Sequence, residues 1–396
     1  MQSSLHIAAI NNAIDVAALL ISNGAEINAK DYNGKTALHF AVLMNNQDIV
    51  EMLISNGADV NSIDIEGNSV LLFAVLNNRK EIARILISNG ADINAKDNDG
   101  KAALHYSVLN KYQDMTEFLA LYNADINIRD KYGKSALHFA TEKNLKEIVE
   151  ILTTYGADIN AKDVNGDSVL HYSIITKNKD ITLFLLSNGA EINAKDNYMK
   201  TPLHYATDNN FKELTEMLIS HGADINAKDN YLKTPLHYAI YHNFKQLADI
   251  LISHGADINA HNFDGKSILM YAIIQNCIEI AKLLISNGTD INVKDNNGLT
   301  TLHIAIEKKN NELTDLLVLH GSDINAKENK GRTALHYVTI KKNQEIVELL
   351  VSYGADVNVK DNIGYTALHY ATALNLINIA DFLISHGAEI SSIDKN

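Results

Sequence analysis

The 396-residue sequence is poor in residues that several classes of protein need. It contains one cysteine, Cys277, so no disulfide can form within the chain and no thiolate zinc site is available. The 34 lysines and arginines are outnumbered by 48 aspartates and glutamates, which gives a formal net charge of −14. This balance argues against nucleic acids and anionic membranes as partners, because both attract basic surfaces.

Long apolar runs are also missing. No stretch approaches the ~18 uninterrupted apolar residues that a membrane-spanning helix needs. The N-terminus lacks the basic segment and the apolar core of a secretory signal peptide. Together with the single cysteine, these absences predict a protein of a reducing compartment, the cytoplasm, with the nucleus as the alternative. No membrane insertion is expected.

Regularity is what the sequence has in abundance. A histidine recurs at intervals of 33 residues or multiples of 33, and only Leu72 and Met270 interrupt this column. A glycine column follows the same spacing, with Asn123 in its one gap. The histidines are His6, His39, His105, His138, His171, His204, His237, His303, His336 and His369. A fixed period without insertions or deletions is the signature of a repeat solenoid, in which neighbouring units bury each other's apolar faces.

The residues within one period resemble the ankyrin repeat. The signature Thr-Pro-Leu-His-x-Ala occupies residues 201–206 and 234–239, and these copies contain the two prolines of the chain. Alanine, valine, isoleucine or threonine replaces the proline in most other copies. The resemblance implies an all-α solenoid in which each repeat supplies a short β-hairpin loop and two antiparallel helices. It also implies binding of other proteins, but it does not identify the partner.

We expect a single ankyrin repeat domain over residues 1–396. A chain of this length would otherwise suggest two or three domains. No proline- or serine-rich linker, charge block or insertion separates the repeats, however. The predicted repeats are 1–30 (partial), 31–63, 64–96, 97–129, 130–162, 163–195, 196–228, 229–261, 262–294, 295–327, 328–360 and 361–393.

The repeat at 130–162 shows how one unit is built. Ser135 is the predicted N-cap of the first helix, and serine or threonine holds this position in every repeat except the one with Ala102. Asn144 is expected to end the first helix in the left-handed conformation, which asparagine tolerates. Apolar residues at helical spacing predict a second helix from about Lys146 to Thr154.

The histidine column invites a metal-binding or catalytic interpretation. Each histidine comes from a different repeat, however, and packed helices lie roughly 8–10 Å apart. That distance is too large for several side chains to share one ion, or for two to form a catalytic dyad. In the ankyrin family this histidine is a structural hydrogen-bonding residue between neighbouring units. The sequence has no phosphate-binding loop, nucleophile elbow or zinc-helix motif, so no catalytic residue, metal site or cofactor is predicted.

Two basic columns are expected on the hairpin side of the repeats. One precedes each turn, as at Lys30 and Lys162, and the other follows the turn glycine, as at Lys35 and Lys134. A continuous basic stripe would suit an acidic partner. In most repeats an aspartate directly follows the first column, as Asp31 follows Lys30. The favoured interpretation is therefore a self-neutralised, solvated ladder.

The hairpin tips depart most from the repeat pattern. Aromatic residues stand at tip positions where polar residues are expected, and two adjacent repeats lack the turn glycine. Without glycine, a left-handed backbone costs roughly 1 kcal/mol or more per residue, unless the turn changes type. Aromatic residues are enriched in binding hot spots, and exposed apolar patches mark interaction surfaces. The predicted partner-binding residues are Tyr198, Met199, Tyr231, Leu232, Tyr241, His242 and Phe263. Neutral drift at tolerant tips is the alternative.

The sequence therefore predicts a non-enzymatic scaffold that binds a partner protein on its hairpin tips and first helices. Two alternatives remain open. One is an ankyrin-repeat fragment of a larger enzyme or effector, which the abrupt ends of the chain favour. The other is a membrane-skeletal adaptor that binds the cytoplasmic part of a membrane protein. We expect a monomer that does not bind nucleic acid. End-to-end association is an alternative, because neither terminal repeat is an obviously polar cap.

Overall fold

The computed structural model describes residues 2–390. The chain divides into two compact units, one ending at Asn197 and the other beginning at Tyr198. In the described residues each unit contains twelve α-helices arranged as six pairs. The expectation of one domain over residues 1–396 stays a prediction. Met1 and the last three residues of the predicted repeat 361–393 lie outside the described residues.

The first unit contains helices α1 to α12. Their bounds are α1 Ser4–Ile10, α2 Ile14–Ser22, α3 Ala37–Leu43, α4 Gln47–Ser55, α5 Val70–Leu76, α6 Lys80–Ser88, α7 Ala103–Leu109, α8 Gln113–Leu121, α9 Ala136–Glu142, α10 Lys146–Thr154, α11 Val169–Ile175 and α12 Lys179–Ser187. Odd-numbered helices are the first helices of the repeats and even-numbered helices are the second. Within this unit, each first helix packs against its own second helix and against neighbouring first helices, as α3 packs against α4 and α5.

The second unit contains helices α13 to α24 in the same arrangement. Their bounds are α13 Pro202–Asp208, α14 Lys212–Ser220, α15 Pro235–Tyr241, α16 Lys245–Ser253, α17 Ile268–Ile274, α18 Ile278–Ser286, α19 Thr301–Glu307, α20 Asn311–Leu319, α21 Ala334–Ile340, α22 Gln344–Ser352, α23 Ala367–Ala373 and α24 Ile377–Ser385. β-Pairing within residues 2–390 is limited to isolated bridges in four hairpins, such as Lys162 with Ser168. The all-α repeat solenoid predicted from the sequence is confirmed.

Local sequence signals explain the helix bounds in the repeat at 130–162. Helix α9 begins after the N-cap Ser135, and Asn144 takes the expected left-handed conformation, with φ of 57°. Helix α10 begins and ends at the predicted residues and places Glu147 in its first turn, where a carboxylate complements the helix dipole. The apolar side chains of Ile148, Val149 and Leu152 are buried and form the packing face of this helix.

A histidine and the N-cap residue fix the start of each typical first helix. Ser135 donates its backbone N–H to His138 Nδ1 at 3.1 Å, and the Ser135 hydroxyl lies 2.9 Å from the same nitrogen. Because Nδ1 accepts the backbone bond, the neutral ring carries its proton on Nε2. In His204 this Nε2 donates to the carbonyl of Lys233 in the following repeat, at 3.1 Å. The structural role between neighbouring units that the resemblance implies is thereby confirmed for His204, and the same contact is made by His6, His105, His303 and His336. The buried Nε2 atoms of His39, His138 and His237 have no hydrogen-bond partner in the described part of the chain.

Nine of the ten histidines in the column are buried, and His369 is partly buried. Desolvation lowers the pKa of His138 to about 4 and that of His237 to about 3. For the same reason, the pKa values of His39 and His303 fall to about 4. The His237 ring packs edge-on against Tyr271 of the next repeat, with 5.4 Å between the ring centroids. The column is therefore an element of the packed interior.

A column of asparagines also links consecutive repeats, and sequence reasoning missed it. Asn127 donates its side-chain amide to the carbonyl of Gly156 at 3.1 Å and accepts the N–H of Asp158 at 2.7 Å. One side chain thus satisfies a donor and an acceptor of the following repeat, next to the glycine that ends the second helix. The asparagines that make both contacts include Asn28, Asn61, Asn127, Asn160, Asn226, Asn292, Asn325 and Asn358.

Candidate partner-binding surface

The hairpin tips are tight turns held by an aspartate. In the repeat at 229–261, one carboxylate oxygen of Asp229 accepts the N–H groups of Tyr231 and Lys233, both at 2.8 Å. The carbonyl of Asp229 accepts the N–H of Leu232 at 3.0 Å. These bonds satisfy the backbone of the turn and leave the side chain of Tyr231 outside it. The aspartate before the turn is thus committed to the hairpin itself.

Neighbouring tips are joined through their backbones. Asn230 donates its N–H to the carbonyl of Tyr198, and Phe263 donates its N–H to the carbonyl of Tyr231, each at 3.0 Å. Three successive tips of the second unit are therefore fixed to one another. We use the name tip patch for the apolar side chains that these tips present, namely Tyr198, Met199, Tyr231, Leu232 and Phe263.

The tip patch retains a backbone conformation that normally requires glycine. Met199 has φ of 62° and Leu232 has φ of 58°, whereas Gly133 at the equivalent position has φ of 76°. A Cβ added to Gly133 would lie 3.0 Å from the backbone nitrogen of Val164 in the next repeat. The turn has not changed its type at Met199 and Leu232. Each residue therefore carries the roughly 1 kcal/mol cost of a left-handed side-chain-bearing position.

All five side chains of the tip patch are exposed. Exposure ranges from 41 % for Met199 and Leu232 to 72 % for Phe263, with Tyr198 and Tyr231 near 60 % (62 % and 61 %). Exposed apolar side chains on adjacent tips form the kind of patch that is typical of an interaction site.

Tyr241 and His242, the two remaining predicted site residues, lie at the end of helix α15. Tyr241 is exposed and packs edge-on against His242, with 4.9 Å between ring centroids. His242 stacks on Phe244 at 5.2 Å, and its Nε2 lies 2.9 Å from Asp208 Oδ1. Lys233 connects this helix end to the tip patch, because it follows Leu232 in the chain and its Nζ lies 5.7 Å from the Tyr241 ring centroid. His242 is held by its contacts with Tyr241, Phe244 and Asp208, the last of which ends helix α13.

The first basic column is not the self-neutralised ladder that the sequence suggested. Lys162 donates its ammonium group to the carbonyl of Lys195 at 2.9 Å, and Lys294 donates in the same way to Lys327 at 3.0 Å. The neighbouring aspartate folds into its own turn, as Asp163 does by accepting backbone N–H groups. These lysines link successive repeats through backbone carbonyls, and this pairing differs from the predicted lysine–aspartate pairing.

The second basic column lies over aromatic rings. Lys134 pairs with Glu142 at 2.9 Å, and its Nζ is 4.6 Å from the ring centroid of Tyr172 in the next repeat. The hydroxyl of Tyr172 donates to Asp163 Oδ2 at 2.9 Å. The tyrosine that follows the periodic histidine is thus fixed by its hairpin and covered by a lysine of the preceding repeat. The sequence predicted packing for these aromatic residues but did not reveal the lysine contact.

Neither a metal site nor a membrane-spanning helix finds geometric support in the part of the chain that the structure describes. Residues 2–390 contain no group of three or more histidine, cysteine, aspartate or glutamate side chains that could hold a metal ion. Within the same range, no helix combines the length and apolar character needed to cross a membrane.

Comparison with known protein families gives a match along almost the whole chain. The family model described as ankyrin repeats (3 copies) matches residues 2–64, 61–130, 121–196, 157–229, 195–262, 230–295, 261–328 and 302–394. A search of curated proteins found no match.

Proposed function

Because this chain belongs to the ankyrin repeat family, whose members generally mediate protein–protein interactions, we propose that it is a non-catalytic scaffold that binds a partner protein. The proposed contact surface is the tip patch together with Tyr241 and His242 at the end of helix α15. The cytoplasm, with the nucleus as the alternative, is the proposed compartment. If the array is part of a larger enzyme or a membrane-skeletal adaptor, the same surface would serve as its contact.

The observation that carries this proposal is strain combined with exposure. Met199 and Leu232 keep a left-handed backbone where the other described hairpins have glycine, and both side chains point an apolar group into water. Neither the strain nor the exposure stabilises the fold. Local strain of this kind concentrates at functional sites, where the side chain rather than the backbone determines the choice of residue.

The proposed mechanism is presentation on a fixed framework. The hydrogen bonds from Asn230 to Tyr198 and from Phe263 to Tyr231 hold adjacent tips in register. A partner would meet aromatic side chains whose backbones are already ordered, so that little conformational entropy is lost on binding. Tyrosine and phenylalanine also supply large contact areas with few rotatable bonds.

The test begins with a partner identified by affinity purification and mass spectrometry, and then measures its affinity for purified variants. Joint replacement of Tyr198, Tyr231 and Phe263 by alanine is expected to weaken binding at least tenfold. The free energy of unfolding should fall by no more than about 1 kcal/mol, because the removed groups are exposed.

A matched control is available in the first unit. Tyr32, Tyr132 and Val164 are tip residues that are 80 %, 52 % and 57 % exposed, and their joint replacement by alanine removes a comparable apolar area. This control should leave the affinity unchanged. An unchanged affinity in the Tyr198, Tyr231 and Phe263 variant would rule out the tip patch as the contact surface.

A further inference from the structure

We infer that the partner carries a carboxylate next to apolar side chains, and that Lys233 receives this carboxylate while the tip patch receives the apolar groups. The inference rests on the proposed function and adds the chemical class of the partner segment, an acidic and apolar peptide. Lys233 would be the specificity-determining residue.

Two kinds of pairing occur in the second basic column. Lys101 and Lys266 pair with aspartates of their own turns, each at 3.4 Å. Two other members pair at the end of the first helix and show what Lys233 lacks. Lys134 pairs with Glu142 at 2.9 Å, and Lys200 pairs with Asp208 at 3.4 Å. In each case the carboxylate is the last residue of the same repeat's first helix. The geometry of the repeat therefore provides an acceptor for this ammonium group at that helix end.

In the repeat at 229–261 the acceptor is replaced by an aromatic ring. Tyr241 occupies the position of the carboxylate, and within residues 2–390 no aspartate or glutamate oxygen lies within salt-bridge distance of Lys233. The Nζ of Lys233 instead lies 5.7 Å from the ring centroid of Tyr241 and 5.8 Å from those of Tyr238 and Tyr271. The ammonium group is half-buried among three rings that attract a cation but do not neutralise it.

This arrangement prepares Lys233 to bind an anion. The three rings restrict a long side chain that would otherwise lose rotamer entropy on binding. Lys233 also follows Leu232, so a carboxylate on Lys233 would place adjacent groups of the partner against the tip patch. An ammonium–carboxylate hydrogen bond at a partly desolvated site is stronger than a neutral one.

The acidic groups around this site are already engaged. Asp208 contacts both Lys200 and His242, Asp264 pairs with Lys266 at 3.4 Å, and Asp229 accepts the backbone of its own turn. These carboxylates leave the charge of Lys233 available to a partner.

Lys35 offers an internal comparison. It also has no carboxylate within salt-bridge distance in the described residues, and its Nζ lies 4.8 Å from the ring centroid of Phe73. However, Lys35 follows Gly34, so the strained apolar side chain that adjoins Lys233 is missing. Lys35 therefore supplies a control for an unpaired cation without the tip patch.

The test uses a phage-displayed library of random twelve-residue peptides selected against the full chain, followed by affinity measurements on synthetic copies. Peptides that lose binding to the variant with alanine at Tyr198, Tyr231 and Phe263 are the relevant set. We expect this set to be enriched in aspartate or glutamate beside leucine, isoleucine or phenylalanine. Lys233→Met should lower their affinity at least tenfold, whereas Lys200→Met and Lys35→Met should change it less than twofold.

A double-mutant cycle assigns the contact. Replacing the selected carboxylate by its amide should lower the affinity for the unmodified chain tenfold and should have little further effect on the Lys233→Met variant. If binding depends on the tip patch but not on the carboxylate or Lys233, the inference is overturned and the proposed function stands. If the library yields no peptide that depends on the tip patch, both fail.

Discussion

The repeats at 130–162 and 229–261 share a framework and differ where a partner would touch them. Each has a buried histidine after the N-cap, and burial lowers the pKa of both His138 and His237. At the hairpin, however, Gly133 corresponds to Leu232, and at the end of the first helix Glu142 corresponds to Tyr241. One repeat has a relaxed turn and a paired lysine, and the other has a strained turn and a lysine among tyrosines.

This difference teaches that framework and surface are separable in such an array. The stability of a repeat array is close to a sum of local and nearest-neighbour terms. A strained turn costs about 1 kcal/mol, and a lost surface ion pair costs less than about 1 kcal/mol. Both losses fall on one repeat, where the packed interior is unchanged. The hairpin tips can therefore change without loss of the fold.

The largest expected effect is acid destabilisation through the histidines that both repeats share. Their folded-state pKa is lowered, so the folded chain stays neutral while the unfolded chain binds protons below its ordinary pKa of about 6.5. Stability is thus complete above that pH and falls as the pH drops. Each such histidine should lower the free energy of unfolding by up to about 1.4 kcal/mol per pH unit. For His138 this window closes at about pH 4, and for His237 at about pH 3.

Urea unfolding at pH 7, 5.5 and 4.5 measures this effect. His138→Leu and His237→Leu should each reduce the pH dependence, whereas Leu72→His should increase it, because Leu72 occupies the same buried position. Identical pH dependence in all variants would show that the histidines are not the groups responsible.

The next effect concerns the repeat at 97–129, which we expect to be less stable than either member of the comparison. Ala102 offers no hydroxyl and keeps only its backbone N–H bond to His105 Nδ1, at 3.0 Å. Asn123 replaces the glycine after the second helix and adopts φ of 62°. Loss of an N-cap costs about 1 kcal/mol, and asparagine enters the left-handed region less readily than glycine.

Amide hydrogen exchange should therefore be faster over residues 97–129 than over residues 196–261. The double substitution Ala102→Thr and Asn123→Gly should slow exchange in the first segment and leave the second unchanged. Equal protection of the two segments, or no response to the double substitution, would contradict this prediction.

Sequence reasoning predicted the fold because its signals are local and repeated. The N-cap at Ser135, the left-handed Asn144 and the bounds of helix α10 follow from residues within a few positions of each other. The contacts from Asn127 to Gly156 and from Lys162 to Lys195 join residues of different repeats, 29 and 33 positions apart. Such contacts depend on how the repeats stack, which residue identity alone does not specify.

The candidate site, like the fold, was predictable only where its signals are local in the sequence. Tyr198 and Tyr231 were identifiable from aromatic residues at polar positions, and the structure adds that they are exposed. The sequence left two alternatives for the turn at Leu232, strain or a change of turn type, and only the structure shows that the left-handed backbone is retained. The three-ring setting of Lys233 was not predictable, because Tyr271 belongs to the next repeat.

A smaller effect is expected from exchanging the turn residues of the two compared repeats. Leu232→Gly should stabilise the chain by up to about 1 kcal/mol, because it removes the left-handed strain at some cost in unfolded-state entropy. Gly133→Leu should destabilise it by about 1 kcal/mol or more, since the new Cβ approaches Val164. Denaturant unfolding of both variants at pH 7 measures the changes. Stability shifts of the opposite signs would show that the turns are not strained as described.

The smallest expected effect comes from exchanging the helix-end residues that face the two lysines. Tyr241→Glu would give Lys233 the acceptor that Glu142 provides to Lys134, and Glu142→Tyr would remove that acceptor. Both sites are partly exposed, so each change in the free energy of unfolding should stay below about 1 kcal/mol, with a gain for Tyr241→Glu and a loss for Glu142→Tyr. Because an ion pair is screened by salt, the gain should shrink between 0.05 and 1 M NaCl, over which the Debye length falls roughly fourfold. Thermal unfolding at the two salt concentrations measures this difference, and Tyr241→Phe controls for the loss of the hydroxyl alone. A gain that is the same for Tyr241→Phe, or that does not respond to salt, would mean that Lys233 does not pair with the new carboxylate. The end of helix α15 would then not be an acceptor position for Lys233.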